Sequence, residues 1–169
     1  ADICIVQPWG QDATNASLAY GLDATRTVAL DPLCPFVLHR CLMLTAVTDR
    51  QVRDAAHALL ASDGVAVSLI NDSPGFVVQR VLATIVNIAA NIAQRRIASV
   101  EDIEDAVKLG LGYPHGPLSW GDKIGGINVL KILNNMRGMT GDPRYRPSPW
   151  LVRRVKLGLS LLTPEAERN

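Results

Sequence analysis

The stretch Asn71-Asp-Ser-Pro-Gly-Phe-Val-Val-Gln-Arg80 divides this chain into two unlike halves. Before it, short apolar runs alternate with turn residues, and after it nearly every segment has the apolar spacing of a helix. Asp72 and Ser73 are residue types that cap helices, and Pro74 suits the first helical position. The stretch therefore predicts the start of a long helix, which runs from Ser73 to Arg96.

The upstream half has four apolar runs with the length and β-branched content of strands. These runs are Asp2–Trp9, Arg26–Leu30, His39–Val47 and Val65–Ile70. Helical spacing at 12–20 and 49–61 separates them, and this alternation favours a small, mostly parallel sheet. None of the strands is followed by Gly-x-Gly-x-x-Gly, so residues 1–70 have no visible means of binding NAD.

Three further helices are predicted downstream of the long one. Ser99 caps a helix that Gly110 ends, Pro117 begins a helix towards Met136, and the last, basic helix spans Trp150–Leu159. A Gly125-Gly126 pair predicts a kink or a close helix crossing inside the second of these. The apolar stripe of the long helix is expected to face inward, and it comprises Val78, Val81, Leu82, Ile85, Ile88, Ala89 and Ile92.

Composition excludes several classes of protein. A charged fraction of 20% and a net charge of +1 predict no nucleic-acid partner. The apolar runs are shorter than the roughly 18–20 residues of a membrane span, so no membrane association is expected. The three cysteines fit no common zinc spacing, which favours free thiols in a reducing cytoplasm. The chain starts without Met, directly in a strand-like run, and we interpret it as a piece of a longer protein.

The three histidines are the acid–base candidates, but no carboxylate partner is evident for them in the sequence. His57 lies among alanines in a predicted helix, His39 begins a strand, and His115 sits in a Pro-Gly turn. No Ser-His-Asp order, phosphate-binding loop or metal-ligand cluster is visible either. The residues by themselves indicate an α/β-plus-helical protein whose second half is organised for packing or association.

Three separated segments resemble the C-terminal domain of the 3-hydroxyacyl-CoA dehydrogenase family. Residues 72–80 are similar to its Asp-x-Pro-Gly-Phe-(Ile/Val)-x-Asn-Arg motif. Residues 99–122 are similar to its Ser-x-Glu-Asp-Ile-Asp-x-Ala helix, which leads into Lys-Leu-Gly-x-Gly-x-Pro-x-Gly-Pro-x-x-x-x-Asp. Residues 142–149 are similar to its Arg-Tyr-x-Pro-x-Pro run. The order of the three motifs makes the resemblance specific, and it covers roughly residues 71–157.

The resemblance implies a fold class of α/β plus all-α. Residues 1–70 resemble the reduced Rossmann-like sheet domain found in the second half of long, duplicated family members. Residues 71–169 would then form the helical C-terminal-type domain.

The family oxidises 3-hydroxyacyl-CoA to 3-oxoacyl-CoA by transferring hydride to NAD, with a His–Glu pair as acid and base. An Asn in its Pro-Gly-Phe motif helps to place the reacting groups, and Gln79 occupies that catalytic position here. The family's His, its Glu partner and the glycine fingerprint are absent. The resemblance therefore implies no confident catalytic residue, no cofactor-binding residue and no metal ligand. It leaves a substrate-side motif, which comprises Pro74, Gly75, Phe76 and Arg80.

These departures predict that the chain is the non-catalytic, C-terminal half of a dehydrogenase. The parent enzyme would act in fatty acid metabolism in the cytoplasm, and this chain would be inactive by itself. NAD would belong to the parent enzyme, bound by a domain absent from this chain. The implied partners are the catalytic N-terminal half of the same or another chain, a second copy that pairs through the helical domain, and acyl-CoA at a site that the domain helps to close. The alternative is a free-standing acyl-CoA-binding or scaffolding protein.

Overall fold

The computed structural model describes residues 2–166, whose chain forms two compact units. The first unit comprises residues 1–80 and the second residues 81–169. Each unit has its own buried side chains, and the two are described separately below.

A four-stranded sheet with the strand order β1-β2-β3-β4 forms the centre of the first unit. The strands are β1 Cys4–Val6, β2 Thr27–Leu30, β3 His39–Leu44 and β4 Ala66–Ile70, so all four predicted strands are confirmed. The β1/β2 and β3/β4 pairs are parallel, but β2 and β3 are antiparallel. The sheet is therefore mixed rather than mostly parallel, because the short 31–38 connection cannot hold the dozen or so residues of a parallel crossover.

Helices α1 (Ala13–Ala19) and α2 (Arg50–Ala61) are the two helices of the first unit that the sequence predicted between strands. Two hydrophobic clusters use alternate residues of the same strands, as the period of a strand requires. One cluster contains α1 residues with Ala29, Cys41 and Met43; the other contains α2 residues with Val28, Leu30 and Leu42. The central strands β2 and β3 are thus buried on both faces, whereas β4 is largely exposed.

The long helix α3 spans Val78–Gln94, so the prediction that it begins at Ser73 and Pro74 is wrong. Residues 74–77 form a turn in which Gly75 and Phe76 adopt left-handed backbone angles, with φ of 77° and 47°. Gly75 tolerates that region without a Cβ penalty, whereas Phe76 is held there with its side chain in the α1-side cluster. A helical hydrogen-bond pattern cannot start until the chain leaves this turn.

The second unit contains helices α4 Val100–Leu111, α5 Pro117–Ile124, α6 Gly126–Thr140 and α7 Pro149–Leu157. Ser99 caps α4 as predicted, by accepting a hydrogen bond from the Asp102 amide. The helix passes Gly110 and ends at Gly112, whose φ is 67°. The predicted kinked helix is two helices, because Gly125 has φ of 89° and ψ of 118°.

The buried face of α3 coincides only in part with the one that the apolar spacing predicted. Ala89 of the predicted stripe is buried, but Val81 and Ile88 are 49% and 55% exposed. The other buried apolar residues of the helix, Ala83, Val86, Ala90 and Ala93, lie outside the predicted stripe. On α4, Leu109 is 85% exposed.

The fold class is confirmed: a four-stranded mixed sheet precedes a helical domain. Among residues 2–166, no helix has the length and apolarity that a membrane span requires. Across the same range, no three His, Cys, Asp or Glu side chains are grouped as a metal ion would need.

Candidate functional site

Gln79, in the first turn of α3, is fully buried, and all its polar atoms have protein partners. Its Oε1 accepts a hydrogen bond from the Gly10 amide at 2.8 Å. Its Nε2 donates to the Pro8 carbonyl at 3.1 Å and to Oδ1 of Asp31 at 2.8 Å. The carboxamide thereby holds together the segments that follow β1 and β2.

Asp31 is the partner of Gln79 that sequence reasoning missed. It follows β2 directly and is 2% exposed, and its Oδ1 also accepts from the Leu33 amide at 2.9 Å. Its second oxygen, Oδ2, is buried without a hydrogen-bond partner. Burial raises the pKa of this carboxyl, and the hydrogen bonds from Gln79 and Leu33 oppose the rise. Its position in the sequence is the only signal that could have indicated it, because site residues often lie at the end of a strand.

The three cysteines are free, and neither Cys34 nor Cys41 has the properties of a nucleophile. Burial raises the pKa of the Cys41 thiol to about 11, with smaller contributions from Cys34 and Asp31. Burial and Asp31 raise the pKa of Cys34 in the same direction. The thiolate form that attack would need is therefore disfavoured at both positions.

The residues of the substrate-side motif form the turn before α3. Gly75 and Phe76 are buried, and Pro74 is half-buried. Arg80 fixes the turn, since its guanidinium donates to Oγ of Ser73 at 2.5 Å and to the Pro74 carbonyl at 2.8 Å.

Asp72 caps the N-terminus of α1 rather than that of its own helix. Its carboxylate accepts from the Ala13 amide at 2.7 Å and from the amide and hydroxyl of Thr14, while Asp12 accepts from Asn15 at 2.6 Å. In dinucleotide-binding folds, the amides at such a βα turn receive the pyrophosphate. Here these amides donate to the carboxylates of Asp12 and Asp72 instead, so the residues of this turn do not fit the pyrophosphate of NAD.

None of the three histidines is a hydrogen-bond partner of Gln79. His39 contacts Ser68 across the β3/β4 pair, with 2.9 Å between Nε2 and Oγ, and His57 lies within α2. In the second unit, Nε2 of His115 lies 2.8 Å from the ammonium of Lys123. Within the described residues none of the three contacts a carboxylate, so no His–carboxylate acid–base pair is assembled here.

In the second unit, the motif at 99–122 is organised around the buried carboxylate of Glu104. Its Oε1 accepts from the Leu118 amide at 2.7 Å, and the carboxylate also accepts from the amide and hydroxyl of Ser119. It therefore caps α5 at the end where the helix dipole favours negative charge. A Cβ at Gly116 would lie less than 3.0 Å from both carboxylate oxygens, which explains the glycine at this position.

The other motif residues of the second unit also hold backbone in place. A Cβ at Gly121 would lie less than 3.0 Å from Leu161 and Val86, and Asp122 accepts from the Leu161 amide at 2.8 Å. Asn87 donates to the Arg146 carbonyl at 3.0 Å and accepts from the Ser148 amide at 2.8 Å. The Arg-Tyr-x-Pro-x-Pro run is thereby attached to α3. The polar side chain of Asn87 is buried within α3, where it bonds this loop.

An apolar groove of about 190 Å³ lies between α3, α4 and the start of α5. Three aliphatic side chains of α3 form one wall: Ile85, Ile88 and Ile92. The opposite wall includes Val107, Leu111 and Tyr113. Ile88 and Leu111 at this groove are 55% and 64% exposed. Large aliphatic side chains exposed together mark a surface suited to association.

Comparison with known proteins agrees with the motifs. The model of the 3-hydroxyacyl-CoA dehydrogenase C-terminal domain matches residues 75–163. The 3-hydroxyadipyl-CoA dehydrogenase of Escherichia coli K12 is 33% identical over 156 residues, which are 92% of this chain and 32% of that protein. The 3-hydroxybutyryl-CoA dehydrogenase of Clostridioides difficile is 42% identical over 87 residues, 52% of this chain and 31% of that protein.

Solved structures show the same relationship. A crystal structure of 3-hydroxybutyryl-CoA dehydrogenase from Escherichia coli K12 has a TM-score of 0.81 at 30% identity, covering 92% of this chain and 32% of that one. The (S)-3-hydroxybutyryl-CoA dehydrogenase PaaH1 of Ralstonia eutropha has a TM-score of 0.81 at 26% identity, covering 97% and 61%. The chain spans about a third of the length of the curated relatives named above. It belongs to the 3-hydroxyacyl-CoA dehydrogenase family, as the C-terminal domain region of proteins related to bacterial 3-hydroxybutyryl-CoA dehydrogenases.

Proposed function

We propose that this chain is the non-catalytic, C-terminal half of an NAD-dependent 3-hydroxyacyl-CoA dehydrogenase. One observation carries the proposal: the carboxamide of Gln79, at the position of the family's catalytic Asn, is buried and engaged by Pro8, Gly10 and Asp31. Both N–H donors and one of the two acceptor lone pairs of this carboxamide are bonded within the fold, and the side chain is fully buried, so it is not available to place a substrate. NAD would be bound by a part of the parent enzyme outside this chain.

The role that remains is packing. The buried polar groups of the second unit, Asn87 and Glu104, hold loops and helix ends, while the apolar groove beside α3 has no cover. We propose that the helical unit packs against a catalytic half, or pairs with a second copy, through this aliphatic surface. The turn formed by Pro74, Gly75 and Phe76, fixed by Arg80, would then help to close the acyl-CoA site of the assembled enzyme.

We also place the protein in the cytoplasm. Its three cysteines are free thiols, and a reducing compartment keeps thiols in that state. The relatives from Escherichia coli and Clostridioides difficile are bacterial dehydrogenases.

The test measures NADH formation from 3-hydroxybutyryl-CoA by the purified chain, alone and with a separately expressed catalytic half. We expect no turnover by the chain alone, and a gain in activity or solubility of the catalytic half when both are present. Turnover by the chain alone would contradict the proposal. Calorimetry with butyryl-CoA adds a second readout, because micromolar binding by the isolated chain would favour a free-standing acyl-CoA-binding protein.

A further inference from the structure

Lys123, in the last turn of α5, contacts an imidazole ring rather than a carboxylate. Its Nζ lies 2.8 Å from Nε2 of His115 and 3.3 Å from Nδ1 of the same ring. An ammonium group can only donate hydrogen bonds, so the imidazole nitrogen is the acceptor in this contact. A lysine becomes a nucleophile when a neighbouring base takes its proton. Here such a base lies within hydrogen-bond distance of that proton.

The imidazole of His115 is held in position by its neighbours. The ring of Trp120 lies 6.2 Å from it between centroids, at an interplanar angle of 75°, and Tyr113 packs against Trp120 at 5.5 Å. The backbone beside His115 is also fixed, because Gly116 leaves no room for a side chain against the Glu104 carboxylate that caps α5. The base and the amine are therefore positioned before any reactant arrives, which lowers the entropic cost of a reaction between them.

The environment of Lys123 differs from that of Lys108, another lysine of the second unit. Lys123 is exposed, and within residues 2–166 it forms no ion pair. The carboxylate of the neighbouring Asp122 accepts hydrogen bonds from the segment that follows α7 instead. Lys108 is exposed as well, but its Nζ lies 2.9 Å from Oδ1 of Asp105. An ion pair favours the charged form of a lysine, so Lys108 is the natural comparison for Lys123.

We propose that Lys123 is a site of acylation by acyl thioesters such as acyl-CoA, with His115 as the base that deprotonates its amine. The inference goes beyond the proposed function, which would bring acyl thioesters close to this chain but assigns no reaction to it. The modification is stoichiometric, and it needs no reactant other than the thioester.

The reaction begins when the Lys123 ammonium gives one proton to Nε2 of His115. The neutral amine attacks the thioester carbonyl carbon, so that a C–N bond forms and the C–S bond breaks, with sulfur leaving as a thiolate. The attacking nitrogen loses a second proton, which protonates the thiolate, and His115 releases its proton to water. One ammonium and one thioester thus give one amide, one thiol and one proton, and nothing is oxidised or reduced. The lysine loses its positive charge.

The test incubates the full chain with butyryl-CoA at neutral pH and maps the acylated lysines over time by mass spectrometry. The lysines of the chain are all exposed and all lie in the second unit, so they are compared within one sample: Lys108, Lys123, Lys131 and Lys156. Hydroxylamine treatment before mapping removes butyryl groups from the free cysteines, because it cleaves thioesters and leaves amides intact. His115→Gln removes the base, and His57→Gln, in α2, is its matched control. Circular dichroism checks that each variant is folded.

We expect Lys123 to be acylated at least about tenfold faster than each of the other lysines, which is less than a well-placed base can contribute. In His115→Gln the rate at Lys123 should fall to that of Lys108, while the other rates stay unchanged. His57→Gln should match the wild type. The comparison within one molecule separates loss of the base from loss of structure, because unfolding would change the rates at all four lysines together.

Three outcomes would overturn the inference. One is an equal rate of acylation at all four lysines of the wild type. Another is a preference for Lys123 that persists in His115→Gln, because the imidazole would then have no part in it. The third is butyryl label that hydroxylamine removes completely, since the acceptors would then be cysteines. None of these measurements depends on NADH formation, so such a failure would leave the proposed packing role unaffected.

Discussion

Gln79 in the first unit and Glu104 in the second are both buried polar side chains that hold backbone segments in place. They differ in whether every buried polar atom around them has a hydrogen-bond partner. Gln79 joins the segments after two strands, and Glu104 caps α5. Both carboxylate oxygens of Glu104 have donors. Around Gln79, by contrast, the partner Asp31 keeps one buried oxygen without a hydrogen bond.

The difference indicates which centre is purely structural. Buried polar groups in a scaffold are almost always satisfied, and an unsatisfied one requires a separate explanation. Both oxygens of Glu104 have hydrogen-bond donors, as expected for a group with a structural role. The unsatisfied oxygen of Asp31 distinguishes the Gln79–Asp31 pair from a purely structural centre, and we propose that the pair is the remainder of a site whose chemistry has been lost.

Gly116→Ala should have the largest effect, because the new Cβ would overlap the Glu104 carboxylate. Either α5 or the carboxylate must move, and we expect a loss of about 3 kcal/mol in the free energy of unfolding, measured by urea denaturation. Gly110→Ala is the control, since a Cβ there meets nothing within 4 Å and lies within α4. It should gain about 0.5–1 kcal/mol. Equal stability of the two variants would show that the Glu104 centre is not closely packed.

Gln79→Asn should cost about 2 kcal/mol, because the shorter side chain cannot reach all three of its partners and leaves buried groups unpaired. The same urea titration measures it, with the exposed Gln51→Asn as control. We also expect no dehydrogenase activity from Gln79→Asn, although the resemblance gives Asn at this position, because no histidine among residues 2–166 contacts a carboxylate as an acid–base pair would. A gain of turnover would mean that this centre keeps more of its chemistry than proposed.

Glu104→Gln should cost about 1–2 kcal/mol, since one acceptor oxygen becomes an amide group facing the donors of Ser119. The exposed Glu101→Gln, in the first turn of α4, should lose at most about 0.5 kcal/mol. A Glu104→Gln variant as stable as the wild type would argue that shape, rather than charge, caps α5.

Asp31→Asn should change the pH dependence of stability in a defined direction. Burial raises the pKa of Asp31 in the folded state, so its favourable contribution is complete below its ordinary pKa of about 4 and is lost as pH rises through the folded-state pKa. The variant should lack this loss, and it should become more stable relative to the wild type between pH 4 and pH 7. Urea titrations across that range measure it.

Asp63 provides a contrast of opposite sign. Hydrogen bonding and charge from Arg40 lower the pKa of its carboxyl to about 2, so its contribution is present above pH 4 and is lost as pH falls towards 2. Asp63→Asn should therefore differ from the wild type in pH dependence only below about pH 4. If both Asn variants changed the same pH range, the assignment of Asp31 as a buried acid with a raised pKa would be wrong.

Local patterns predicted most of the elements. Four strands, the Ser99 cap and the mixed α/β-then-helical order follow from short-range preferences of residues for strand, cap or turn. The prediction was wrong where a contact distant in sequence decides the outcome. Phe76 is excluded from the helix because its ring packs in the cluster with Cys41 and Met43 of β3. Asp72 caps α1, whose first residue Ala13 lies 59 positions earlier in the chain.

The sequence by itself determined the family, the order of strands and helices, and the departure at Gln79, because motifs and periodicity are local properties of the chain. Tertiary structure alone decided which face of α3 is buried, how Asp31 pairs with Gln79, and which carboxylate caps which helix. These outcomes depend on packing volume and on hydrogen bonds between distant residues. A buried donor or acceptor bonds to whichever group the tertiary structure places beside it, and the residue type alone does not identify that group.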